Sequence, residues 1–210
     1  MESQDVITFR QIPVKIINDA DTLEFFKDPN LKLVVAFLKR GPMTITDLER
    51  LFKKKGNEKS DKSIYRYLHK LIQAKIVAKA GKRVTSTDEE NLASETLYTR
   101  TAKAFITVMP VDESRDCGLG AECPVWEASR LLLSQIFGNE GDKKKFAEFA
   151  NWLDKEKDKM AIDLFENADE ETLEKVANLD WEGINYVLQF VGWFAIISQQ
   201  DIKSKLNEIF

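Results

Sequence analysis

The chain has 210 residues, of which 43% are hydrophobic and 31% charged, which is typical of a soluble globular protein with enough apolar residues for a core. Its net charge of −4 conceals an asymmetry, because residues 1–110 carry 20 Lys/Arg against 14 Asp/Glu, whereas residues 111–210 carry 11 against 21. Residues 39–83 alone carry 14 against 4. This balance favours a polyanion-binding unit in the first half, with ordinary solvated surface charge as the alternative.

Two helices are predicted early in the chain, after a short helical segment "DADTLEFF". In "KDPNLKLVVAFLKRG", Asp28 suits the N-cap, Pro29 the first helical position and Gly41 the residue past the end. In "TITDLERLFKKKG", Thr46 and Glu49 have the spacing of a capping box. The intervening "PMTI" is short and β-prone.

The stretch from Ser60 to residue 74 predicts a third helix with Ser60 as its N-cap. At 100° per residue, Ile64, Leu68 and Leu71 cluster on one side and indicate a packing face. The opposite side carries basic and hydrogen-bonding residues, namely Lys62, Arg66, His69, Lys70 and Gln73.

A β-hairpin is predicted next, because the β-prone runs "IVAKAGKRV" and "ETLYTRT" flank a polar loop. Three short helices followed by a hairpin are typical of a winged helix-turn-helix, in which the third helix enters the DNA major groove. We therefore predict a mainly α fold with a small β-hairpin. It comprises a winged helix-turn-helix domain over residues 1–110, a linker over 111–123 and an α-helical domain over 124–210.

The segments "MTITDLERLF", "SIYRYLHKLIQAKIV" and "ETLYTRTAKAF" occur in the order found in archaeal winged-helix regulators. Over roughly residues 14–108 the chain resembles such regulators related to the ArsR family, and "LYTRTAKAF" is the most distinctive part. The resemblance implies a DNA-binding regulator of transcription. Two features depart from the family. The turn after the third helix reads Ala74-Lys75-Ile76 instead of an Ala-Gly-Leu type, and the Cys pair with which some members sense metals is absent.

The third helix supplies most of the predicted DNA contacts. Arg66 and Lys62 lie where a recognition helix reaches base edges, and Arg can pair with guanine in a bidentate manner. Ser60, Ser63 and Tyr65 are expected to touch phosphates or bases, and Lys70 a phosphate. The only histidine, His69, is interpreted as a hydrogen-bonding surface residue and not as a pH switch.

Further phosphate contacts are predicted at two places outside this helix. Lys53, Lys54 and Lys55 end the preceding helix. Lys79, Lys82 and Arg83 lie at the base of the wing. The wing tip carries Asp88, Glu89 and Glu90, whose charges repel phosphate, so we expect the base and not the tip to touch DNA.

The motif "CGLGAEC" contains both cysteines, Cys117 and Cys123. It is compatible with a disulfide, with part of a zinc site or with a linker carrying two unremarkable thiols. A zinc site needs more ligands than two thiolates, and a phosphate loop needs a strand–turn–helix context that is missing. We favour the linker.

The second half is predicted to be helical and holds all four tryptophans. Its uncharged run Gly183–Gln200 is nearly long enough to span a membrane, but its polar residues favour a buried helix of a soluble protein. A helix in a small domain needs one apolar face, whereas this helix has apolar residues on nearly all sides. Its second apolar face must therefore meet another helix, a partner subunit or an apolar ligand. We favour a partner subunit, and the predicted dimerisation residues are Tyr186, Phe190, Trp193, Phe194 and Ile197.

These features predict a cytoplasmic, homodimeric transcriptional regulator that binds double-stranded DNA. Its helical domain is a candidate sensor of a small-molecule effector. No catalytic motif, metal cluster or cofactor loop stands out, so we expect neither an enzyme nor a cofactor. The rival interpretation is a winged-helix module that binds proteins within a larger assembly.

Overall fold

The computed structural model describes residues 3–86, 92–107 and 122–210. The fold is mainly α with a small antiparallel sheet. It divides into two compact units, unit 1 (Met1–Thr107) and unit 2 (Val108–Phe210). Most of the predicted linker, residues 111–121, and the predicted wing tip with Asp88, Glu89 and Glu90 lie outside the described residues.

Unit 1 combines four α-helices and five strands among its described residues. In chain order they are β1 (Ser3–Ile7), β2 (Ile12–Ile17), α1 (Ala20–Phe25), α2 (Pro29–Phe37), α3 (Ile45–Lys54), α4 (Asp61–Gln73), β3 (Val77–Ser86), β4 (Leu92–Arg100) and β5 (Ala102–Thr107). One sheet has the order β1-β3-β4 and is antiparallel, while β2 pairs with β5 in parallel.

The start of α2 agrees with the prediction, but the start of α3 does not. The Asp28 carboxylate accepts from the backbone N–H of Asn30, and Pro29 is the first residue of α2. The predicted capping box of α3 is wrong, because the box is formed by Thr44 and Asp47. The N-cap needs an extended backbone, which Thr44 has, whereas the residue predicted there already lies in the first helical turn.

Helix α4 packs as its periodicity predicts. Ile64, Leu68 and Leu71 are buried in the core of unit 1, together with residues of α2, α3 and the strands. Ser60 is the N-cap, but its hydroxyl lies 3.2 Å from that of Ser63 and does not bond a helix N–H. The inner face of α4 is therefore fixed by apolar packing, which leaves its outer face to solvent.

Strands β3 and β4 form the predicted hairpin, and β1 adds a third strand to it. Gly81 permits this addition, because a Cβ at this position would lie 1.9 Å from the backbone oxygen of Val6 in β1. On the other side of the hairpin, Met43 forms an isolated bridge with Tyr98 of β4. This bridge connects the residue before the α3 cap to the hairpin.

The turn between α4 and β3 contains the one non-glycine residue with a positive φ among the described residues. Lys75 has φ +55°, which is the left-handed conformation that glycine adopts most readily. Its carbonyl oxygen accepts from Lys15 Nζ at 2.7 Å and from Thr101 Oγ1 at 2.8 Å. Lys75 therefore holds the turn in the shape that a glycine would favour.

Unit 2 contains five helices in its described part. They are α5 (Pro124–Phe137), α6 (Lys143–Glu166), α7 (Glu170–Ala177), α8 (Trp181–Gln199) and α9 (Ile202–Asn207). Helices α6 and α8 pack closely at Gly192, where an added Cβ would lie 3.0 Å from the Lys157 backbone oxygen. Lys157 is buried there and donates to Gln189 Oε1 at 2.8 Å.

One prediction for unit 2 is wrong. Cys123 is disulfide-bonded and buried against Trp126 and Phe146, so it is not an unremarkable linker thiol, while Cys117 lies outside the described residues. Helix α8 buries Ile184, Gly192 and Ile196 within the chain and leaves a second apolar face exposed. Within the described ranges, no helix is both long and apolar enough to cross a membrane.

Candidate nucleic-acid interface

The outer face of α4 carries a continuous stripe of exposed side chains at spacings of three and four residues. They are Lys62, Tyr65, Arg66, His69 and Lys70. Residues at this spacing share one side of a helix, so the predicted basic face exists as one surface. Lys62, Arg66 and Lys70 form no salt bridge with any described residue.

Arg66 is held loosely by its own helix. Its Nε donates to the Lys62 backbone oxygen at 3.3 Å, and its Nη2 donates to Ser63 Oγ at 3.3 Å. Both acceptors are neutral, so the guanidinium charge is uncompensated and can exchange these bonds for an anion or a base edge.

Tyr65 and His69 lie side by side on the same stripe. Their rings are stacked with centroids 6.5 Å apart, and Tyr65 is 56% exposed. The ring of Tyr65 also borders a shallow groove of about 640 Å³ at the starts of α3 and α4. The groove is lined by Ile45, Asp61, Lys62, Tyr65 and Arg66.

An acidic pair joins Glu49 of α3 to Asp61 at the start of α4. A side-chain hydrogen bond with Asp61 raises the pKa of Glu49, and the same bond lowers the pKa of Asp61. The groove is therefore lined by charges of both signs, with Lys62 and Arg66 beside Asp61, whose carboxylate repels a phosphate placed next to it.

The end of α3 carries the second predicted set of cations. Lys53, Lys54 and Lys55 are all exposed. Lys53 Nζ lies 3.7 Å from Glu58 Oε1, and because both side chains are largely exposed this pair contributes little. All three lysines remain available to a polyanion.

The residues predicted to form the base of a wing are of two kinds. Lys79 and Lys82 are exposed. Arg83 is half-buried and lies between two carboxylates, with Nε 2.7 Å from Asp5 Oδ1 and Nη1 2.6 Å from Asp47 Oδ2. The hydrogen bond that Arg83 donates to Asp5 is the largest cause that raises the pKa of Arg83. We therefore remove Arg83 from the candidate phosphate contacts, because its charge is already compensated.

The ion pairs of Arg83 join three elements. Asp5 belongs to β1, Arg83 to β3, and Asp47 to the first turn of α3, where it also closes the cap. A second polar contact also links α3 to the hairpin, because Thr46 Oγ1 donates to Glu95 Oε1 of β4 at 2.6 Å. These contacts link the hairpin β3–β4 to α3. Sequence spacing alone did not reveal this network, because Asp5 and Arg83 are 78 positions apart.

A different surface, the apolar face of α8, contains the predicted dimerisation residues. They are Tyr186, Phe190, Trp193, Phe194 and Ile197, each between 40% and 70% exposed. Their positions fall within an arc of about 100° on the helix, opposite its buried residues. The rings of Tyr186, Phe190 and Phe194 form a ladder with centroid separations of 5.9 and 4.6 Å.

Helix α5 has a second apolar stripe that the sequence interpretation missed. Val125, Leu132 and Ile136 are exposed and lie at i, i+7 and i+11. This helical spacing is visible in the sequence and could have identified the stripe.

No metal site is formed by the described residues, which contain no group of three or more His, Cys, Asp or Glu able to hold an ion. No protein-family model matches the chain, and no curated protein matches it. The surfaces described above therefore carry the functional argument.

Proposed function

We propose that this chain is a sequence-specific, DNA-binding transcriptional regulator and that unit 1 is a winged helix-turn-helix. The order α2, α3, α4 and then the hairpin β3–β4 supports this assignment, as does the bridge between Met43 and Tyr98. In this arrangement α4 is the recognition helix and the hairpin is the wing.

The observation that carries the proposal is the exposed stripe on α4. Its three cations, Lys62, Arg66 and Lys70, have no carboxylate partner among the described residues. Unpaired cations on one helix face suit a phosphate backbone, because binding releases the counterions of the duplex. The stripe also holds hydrogen-bonding side chains that suit base edges in the major groove.

The experiment that tests this function selects duplexes from a random library and compares two variants on the selected site. Arg66→Ala is expected to weaken binding by roughly 1–3 kcal/mol and to relax base preference. Lys82→Ala at the wing base is the matched control and is expected to weaken all sequences evenly. If both variants lose affinity equally on every sequence, Arg66 contacts only phosphate.

A protein-interaction winged helix is the rival function. Such a module has no need of unpaired cations on α4. It predicts that selection enriches no duplex and that Lys62, Arg66 and Lys70 can be replaced without loss of DNA affinity. The same selection experiment therefore separates the two functions.

The regulator is proposed to act as a homodimer through the apolar face of α8. Contiguous exposed apolar surface is uncommon on monomers, and a two-fold axis would pair this face with its own copy. The dimer would present two α4 helices to half-sites roughly 34–36 Å apart. The same proposal includes action in the cytoplasm and a small-molecule effector sensed by unit 2.

A further inference from the structure

Tyr65 is an anomaly on the DNA-facing surface. Across α1 to α4, all of whose residues are described, it is the one large apolar side chain that is exposed. Its neighbours on the stripe are cations and His69, so it serves no packing face of α4. An exposed aromatic ring within a polar surface points to an apolar partner.

The groove beside Tyr65 indicates the size and chemistry of that partner. Ile45, the first residue of α3, supplies a second apolar side chain, and Lys62 and Arg66 lie along the same groove. Asp61 stands at the first position of α4 and repels a phosphate. The groove thus combines two apolar side chains with two cations and one carboxylate, and this mixed lining suits a base edge, which carries both apolar and hydrogen-bonding groups.

Only one base presents an apolar group in the major groove, namely thymine through its C5 methyl. We propose that Tyr65 and Ile45 form a subsite for a thymine methyl group, next to the base that Arg66 contacts. The inference rests on the proposed DNA-binding function and specifies one base of the recognised sequence. Tyr65 contributes through its ring face, and its hydroxyl is not required.

The test replaces each thymine of a selected duplex, one at a time, by deoxyuridine, which lacks only the methyl group. One position is expected to weaken wild-type binding about fourfold, the value of one buried methyl group. Tyr65→Ala should abolish the difference between thymine and deoxyuridine at this position, and Tyr65→Phe should retain it. His69→Ala, which alters the neighbouring ring of the stripe, is the matched control and should also retain it.

The outcomes separate this inference from the proposed function. If no duplex is bound at all, the proposed function fails. If duplexes are bound but no deoxyuridine substitution weakens binding, or Tyr65→Ala keeps the full difference, the methyl subsite is wrong and DNA binding stands. If Tyr65→Phe weakens every sequence evenly and loses the methyl effect, Tyr65 acts through its hydroxyl on phosphate, which also overturns the subsite.

Discussion

Arg83 of the hairpin strand β3 and Asp47 in the first turn of α3 form an ion pair at 2.6 Å. Because Asp47 also accepts from the Thr44 backbone N–H, one carboxylate both closes the cap of α3 and holds the wing. Arg83→Met is therefore expected to lower the free energy of unfolding by about 1–3 kcal/mol. Lys82→Met, the exposed neighbour, should change it little. Denaturant unfolding followed by circular dichroism measures both, and equal small effects would contradict the structural role of Arg83.

The ion pair between Asp5 and Arg83 predicts that the free energy of unfolding depends on pH in the acidic range. The hydrogen bond from Arg83 holds the pKa of Asp5 below its ordinary value of 3.8. A lowered folded-state pKa gives stability that is present above 3.8 and is lost as pH falls through the folded value. Asp5→Asn should therefore be less stable than wild type at neutral pH, and this difference should shrink below pH 3.8. A difference that is independent of pH would show that the carboxylate charge is not involved.

The turn after α4 predicts a stabilising substitution. Lys75 holds φ +55°, and a side chain in this region costs free energy that glycine does not. Lys75→Gly is expected to raise the free energy of unfolding by about 0.5–1 kcal/mol, after the greater entropy of glycine in the unfolded chain is subtracted. Lys75→Ala, which removes the charge but keeps the Cβ, should give no such gain. Thermal unfolding of wild type and of both variants tests this. If Lys75→Ala is stabilised as much as Lys75→Gly, the gain comes from removing the charge and not from the backbone conformation.

The apolar face of α8 predicts how subunits associate. Phe190→Glu places a charge in the centre of the ring ladder, so the variant should sediment as a folded monomer and lose much of its DNA affinity. Gln199→Glu adds the same charge on the opposite side of α8 and should remain dimeric. Analytical ultracentrifugation with circular dichroism gives the answer. A Phe190→Glu variant that stays dimeric would indicate a ligand contact instead, and a wild-type monomer at micromolar concentration would rule out the interface.

Helices were predictable from the sequence because their signals are local. Asp28 and Pro29 mark the start of α2, and the spacing of Ile64, Leu68 and Leu71 identifies the inner face of α4. The hairpin β3–β4 was also predictable, since its two strands are neighbours in the chain.

Features that depend on distant residues were not predictable. Strand β1 pairs with β3, and β2 pairs with β5, at partners 74 to 90 positions further along the chain, so neither has a local turn signal. Arg83 was predicted to contact a phosphate because nothing near it in the sequence indicates its partners Asp5 and Asp47. The exposed stripe of α4 was found because helical periodicity alone defines it.

The most direct test of DNA binding by α4 is the salt dependence of duplex affinity. Fluorescence anisotropy with a selected duplex should show log affinity falling with log salt by about 0.9 for each phosphate neutralised. Replacing Lys62, Arg66 and Lys70 together by Ala should reduce this slope by about one for each of them that contacts phosphate, and Lys103→Ala, an exposed cation on β5, should leave it unchanged. Absence of binding at low salt, or a triple variant with the wild-type affinity and slope, would contradict the account.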